Sequence, residues 1–124
     1  MSPDASILVL SERIAPAELA RLVGHPFQDM LKFVVDVERR IAAVGGELHA
    51  DAEALLLEHG SAQESLWGGN YYPGRGEGEC IAYQSLINIR PSLGNRGLTV
   101  QDPALRERIR SVVFELLGHG EPLP

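Results

Sequence analysis

Apolar positions recur at two spacings along the chain, and the switches between them mark its elements. Ile7-Leu8-Val9-Leu10 is a short unbroken run that reads as a strand. From Ala15 to Val23 (APAELARLV), Leu19, Leu22 and Val23 recur at helical spacing. Pro16 suits the first turn of that helix and Gly24 its stop. Leu31 to Glu38 (LKFVVDVE) is rich in β-branched residues and partly alternating, as a strand is. Arg39-Arg40 turns the chain into a second strand, Ile41 to Val44, which Gly45-Gly46 ends.

Residues 47–59 fit two templates. As a strand, Glu47, His49, Asp51 and Glu53 alternate with Leu48, Ala50, Ala52 and Ala54. As a helix, Leu48, Ala52, Leu55 and Leu56 share one face. Alanine favours helices and is depleted from strands, so a helix from about Ala50 to His59 is expected, with Gly60 as its stop. Ser61-Ala62-Gln63-Glu64 has the form of a capping box and predicts a short helical turn. Further strands are expected at Gly68 to Tyr72, Glu79 to Ile89 and Gly97 to Val100, with Pro73 to Gly78 as a glycine-rich hairpin tip.

Asp102 and Pro103 then open a helix over 103–117. Leu105, Ile109, Val112, Val113 and Leu116 form its stripe and Gly118 its stop. The tail from His119 to Pro124 is expected to fray. The predicted fold class is α+β in one domain, 1–124: a largely antiparallel sheet of about five to six short strands with two or three helices packed on it.

Composition narrows this picture. The 124 residues suffice for a core without staples. No apolar run approaches the roughly 20 residues of a membrane span. The opening MSPDASILVLSERIAP lacks a basic n-region, so a cytoplasmic protein is expected. Cys80 stands alone, which excludes an internal disulfide and a zinc site built on two thiolates of one chain. It reads as a small buried hydrophobe. A net charge of −6 argues against nucleic acid as a partner. The charge is uneven: Asp36 to Glu64 holds seven acids against Arg39 and Arg40, whereas Arg90, Arg96, Arg106, Arg108 and Arg110 lie near the C-terminus. Such asymmetry admits a homodimer.

Two groups of residues could carry chemistry. Asp36, Glu47, His49 and Asp51 are candidate metal ligands, since oxygen-rich sets suit calcium or magnesium and an imidazole shifts preference toward manganese or zinc. Their spacing matches no established metal loop. The structural alternative is that Glu47 and Asp51 serve a helix N-terminus. Trp67, Asn88, Arg90, Asn95 and Arg96 are candidate ligand-binding residues, an aromatic wall with amide and guanidinium donors suited to an anion. The structural alternative puts Asn95 at a left-handed turn position and pairs Arg90 with a local acid.

The phrases VVDVE (34–38), GGELHADAE (45–53), LWG (66–68), SLINIRPSLGNR (85–96) and QDP (101–103) occur in an order that resembles a family of short prokaryotic proteins, about 110 residues long, known as a domain of unknown function. The resemblance covers about 31–117. It implies a small stand-alone cytoplasmic protein and transfers no activity. The residues themselves admit a ligand-binding protein with an acidic site for a divalent cation or small cationic group. They also admit a hydrolase with His49 as general base, steered by Asp51 or Glu53, and Arg90 or Arg96 on an anionic substrate. A non-catalytic interaction module is the third reading.

Overall fold

The alternation in LKFVVD fixes the layering of the molecule. Leu31, Phe33 and Val35 point to one side of the strand and Val34 to the other, and all four are buried. The computed structural model describes residues 7–24, 27 and 29–124; the opening residues 1–6, which entered the expectation about a leader, lie outside these.

Five strands form one antiparallel sheet: β1 (Ile7–Leu10), β2 (Leu31–Asp36), β3 (Ile41–Gly45), β4 (Leu66–Tyr71) and β5 (Ile81–Ala82), in the order β1-β3-β2-β4-β5. The helices are α1 (Pro16–Val23), α2 (His49–Glu58) and α3 (Pro103–Leu116). On one face Leu31, Phe33, Val35, Val44, Trp67 and Tyr71 meet α1 and α3. On the other Val34, Ala43 and Leu66 meet Ala52 and Leu56 of α2. A sheet covered on both faces buries both sides of its central strands, so β2 reads as a near-continuous apolar run. This is the α+β fold the sequence predicts.

Of residues 47–59, His49–Glu58 form the helix α2. Gly45 and Gly46 have φ of 101° and 80°, a conformation glycine adopts freely, and they swing the chain from β3 into α2. Asp102 caps α3, its Oδ1 accepting from the Ala104 amide at 3.0 Å.

Four local expectations are corrected. Glu79 to Ile89 is not one long strand: β5 has two residues, Gln84 forms a single bridge to Thr99, and Leu86–Asn88 is a 3₁₀ turn. The same bridge is what remains of the strand expected at Gly97 to Val100. Ser61 does not box the turn that follows it, because its hydroxyl donates to Asp36 instead. The tail is not frayed: the Gly74 and Gly76 amides both donate to the Gly120 carbonyl at 3.0 Å, and the Gly120 amide donates to Tyr71 Oη at 3.0 Å. The glycine-rich turn offers backbone donors, and the tail carbonyls satisfy them.

Candidate functional site

Along β4 the sheet partner runs out early. β5 pairs only with Asn70 and Tyr71, which leaves the edge at Leu66 to Gly68 without a strand. Side chains of the segment 85–96 close it. Asn88 acts as a one-residue strand: its Oδ1 accepts from the Gly68 amide and its Nδ2 donates to the Gly68 carbonyl, both at 2.9 Å. Arg90 Nη1 donates to the Leu66 carbonyl, and Nη2 pairs with Glu53 of α2 at 2.8 Å. Asn95 is buried, and its Nδ2 donates to the carbonyls of Asn88 at 2.8 Å and Gly97 at 3.0 Å. Gly94, at φ 85°, takes the left-handed position that the sequence reading gave to Asn95.

The five candidate ligand-binding residues therefore have mostly internal partners. Trp67 is in the core, with the Arg90 guanidinium 5.0 Å from its ring centroid. Asn88 and Asn95 are spent on backbone groups. Arg90 lines a surface cavity of about 720 Å³ with Glu53, Gln63 and Leu93. There its charge is already met by Glu53, an acid distant in sequence rather than a local one. Arg96 is exposed.

The acidic group is dispersed. Asp36, 1% exposed, closes the β2–β3 turn. Its Oδ1 accepts from the amides of Glu38 at 3.0 Å and Arg39 at 2.9 Å, and its Oδ2 accepts from Ser61 Oγ at 2.7 Å. Glu47 is exposed, and Asp51 lies in the first turn of α2 without a side-chain capping bond. Among the described residues no three His, Cys, Asp or Glu side chains gather as a metal-binding group.

His49 is the buried member of the set. The first residue of α2, it lies over Gly68, and its Nε2 meets the Gly69 carbonyl at 2.7 Å. A carbonyl only accepts, so Nε2 carries the proton. Burial pushes the imidazole pKa down to about 4, with a smaller push from nearby Lys32 against the pull of the carbonyl. His49 is thus a neutral donor near pH 7. Glu53, one of the two acids that the hydrolase reading offered to steer it, is paired with Arg90 instead.

A pH prediction follows. The folded-state pKa lies below that of the unfolded chain, so the unfolded state takes up the proton first as pH falls. The stability is full above about pH 6.5 and is lost between pH 6.5 and 4, roughly 3 kcal/mol from this group. Urea melts at pH 7 and pH 4.5 measure the loss, and His49→Gln should flatten it.

Cys80 is fully buried, and burial pushes its thiol pKa up, as suits a packing residue.

A second cavity, of about 460 Å³, opens where α2 begins. Its floor is Lys32 of β2 and Asn70 of β4, cross-strand neighbours on the α2 side of the sheet. Leu48, His49 and Ala50 form one wall; Gln84 to Ile87 and Leu98 form the other. The Asn70 side-chain oxygen, Oδ1, is buried and has no hydrogen-bond partner among the described residues. Such an atom is costly unless something supplies a donor. Sequence reasoning missed Lys32 and Asn70. The available signal was a polar residue at the α2-facing position of an otherwise buried strand.

The fold and site define a three-layer α+β protein with a ligand-sized, mainly apolar cavity at one end of its sheet. The chain belongs to the family described as "Protein of unknown function (DUF5674)", whose model matches residues 8–116. The match takes in β1 from Leu8 and all of α1, ahead of the phrases that begin at β2. No curated protein and no solved structure matches the chain. Among the described residues no helix is long and apolar enough to cross a membrane.

Proposed function

We propose that the protein binds a small, partly apolar molecule in the cavity between the start of α2 and residues 84–87. One observation carries this reading: a cavity large enough for a metabolite is lined by Asn70, whose side-chain oxygen is buried and has no hydrogen-bond partner among the described residues. Leu48, Ile87 and Leu98 supply the apolar walls, and Asn70 and His49 fix orientation. The acidic residues of 36–51 do not converge on this cavity, so a ligand held by its apolar body and one donor suits the geometry better than a cation. Titration with N-acetyl-phenylalanine methyl ester, which has an aromatic body and one N–H, tests it by heteronuclear NMR. Shifts confined to the Leu48, Ile87 and Leu98 methyls and the Asn70 side-chain amide are expected. No shift there at millimolar concentrations of either the ester or its free acid removes the reading.

A second reading, self-association, rests on exposed apolar side chains beside the same cavity. Leu86 is 77% exposed, and Leu48, Ile89, Leu93 and Leu98 are exposed with it around the two neighbouring cavities. A second copy seated on them would appear as a dimer in light scattering.

A further inference from the structure

The small-molecule reading leaves the charge of the ligand open, and the lining of the cavity narrows it. We infer that the occupant is an apolar monocarboxylate bearing one hydrogen-bond donor, its carboxylate held between Lys32 and the start of α2 and its donor on the Asn70 side-chain oxygen. The inference rests on the binding reading above and adds the chemical class.

Four observations converge. Lys32 is the only charged residue among those lining the cavity, and no acidic side chain lines it. Among the described residues Lys32 forms no salt bridge; its ammonium lies 5.4 Å from the centroid of the Phe27 ring. An ammonium beside apolar walls favours an anion over a neutral or cationic guest. The start of α2 supplies further positive potential: the cap residue Leu48 has no side-chain acceptor to offer, and the His49 and Ala50 amides find no protein acceptor among the described residues. Asp51, in the first turn, offsets part of that potential but lies outside the lining. Finally, the polar groups divide by role. Asn70 Oδ1 can only accept and is buried without a donor among the described residues, so a guest N–H would satisfy it once the amide turns toward the cavity, whereas Lys32 can only donate, so the guest must accept there.

An apolar N-acyl amino acid combines all three features: a carboxylate, an adjacent N–H and an apolar side chain. His49 completes the lining without adding charge near pH 7, because burial holds its imidazole neutral. A carboxylate within reach of Lys32 therefore faces one full positive charge and no competing anion in the wall.

The test compares three phenyl-bearing probes: N-acetyl-phenylalanine, its methyl ester and phenethylamine, which are anionic, neutral and cationic at pH 7. Each is titrated into the full chain, wild type and Lys32→Met, by heteronuclear NMR. The wild type should prefer the acid over the ester by roughly tenfold or more, and the amine should bind least. Lys32→Met, which keeps the apolar stem, should bring acid and ester to the same affinity, and Lys32→Glu should raise the amine above the acid. Wild-type amide spectra for both variants outside the cavity would show that the fold is intact. Acid and ester binding equally to the wild type, with the same methyl shifts, would overturn the carboxylate assignment while leaving the cavity reading in place. No shift of the Leu48, Ile87 or Leu98 methyls with any probe would overturn both.

Discussion

Gly69→Ala is expected to destabilise the protein by at least ~3 kcal/mol, which lowers the melting temperature by roughly 10–20 °C. Gly69 lies opposite Phe33 in the β2–β4 register, and the Phe33 ring lies across it. A Cβ at this position would stand 2.5 Å from Phe33 Cζ and 2.8 Å from the Ala82 carbonyl oxygen. The first neighbour is a fully buried ring in the core and the second is backbone, so neither moves without disturbing the packing. A loss of this size is a large fraction of the 5–15 kcal/mol typical of a domain. Gly78→Ala is the control. Nothing lies within 4 Å of a Cβ there, and it should melt close to wild type. Adding Phe33→Leu to Gly69→Ala should cost less than the two single changes together, since the smaller side chain relieves the contact. Thermal melts by circular dichroism measure all four proteins.

Asp36→Ala is expected to cost about 3–5 kcal/mol, because a buried carboxylate holding several donors cannot be removed without leaving them unmet. The three donors are the Glu38 and Arg39 amides, which shape the β2–β3 turn, and the Ser61 hydroxyl, which ties that turn to the end of α2. Asp36→Asn should cost less, since its carbonyl oxygen can still accept from the two amides. Urea denaturation of both variants measures the difference. A residue serving only as a metal ligand would give the opposite pattern, with little change in stability in either variant when no cation is added. The acid that the sequence offered as the first member of a cation site is thus expected to act as a turn clamp.

Local periodicity made most of the fold legible. The stripe of α3, the Asp102-Pro103 start and the two glycines after β3 each act through neighbours a few residues away, and such signals survive in a single sequence. Of residues 47–59, His49–Glu58 resolved as a helix for the same reason, since alanine weighed against a strand. Non-local partners stayed hidden. Glu79 to Ile89 has the composition of a strand, but Asn88 and Arg90 satisfy the β4 edge with side chains, so the backbone does not need to continue in register. Ser61 looked like a cap because nothing nearby in sequence revealed Asp36, 25 residues before it.

The candidate site was legible only in part. Acids and donors stood out by type, yet type does not reveal whether a group is already satisfied. Asn88, Asn95 and Asp36 are conspicuous in the sequence and fully engaged in the structure. Lys32 and Asn70 are inconspicuous, each a polar residue between less polar neighbours in a mainly apolar strand. Their meaning depends on the cross-strand register that sets them side by side at the floor of a cavity. His49 is the residue common to both views: it stood out in the sequence, and the structure gives it a place in the lining as a neutral donor already bonded to β4.

A crystal structure of the protein soaked with N-acetyl-phenylalanine tests the central claim most directly. The account predicts density for the guest between Leu48, Ile87 and Leu98, with its N–H within hydrogen-bond distance of the Asn70 side-chain oxygen. Density for the same guest only in the cavity lined by Glu53 and Arg90, or an Asn70 amide turned to a protein donor with the cavity collapsed, would contradict it.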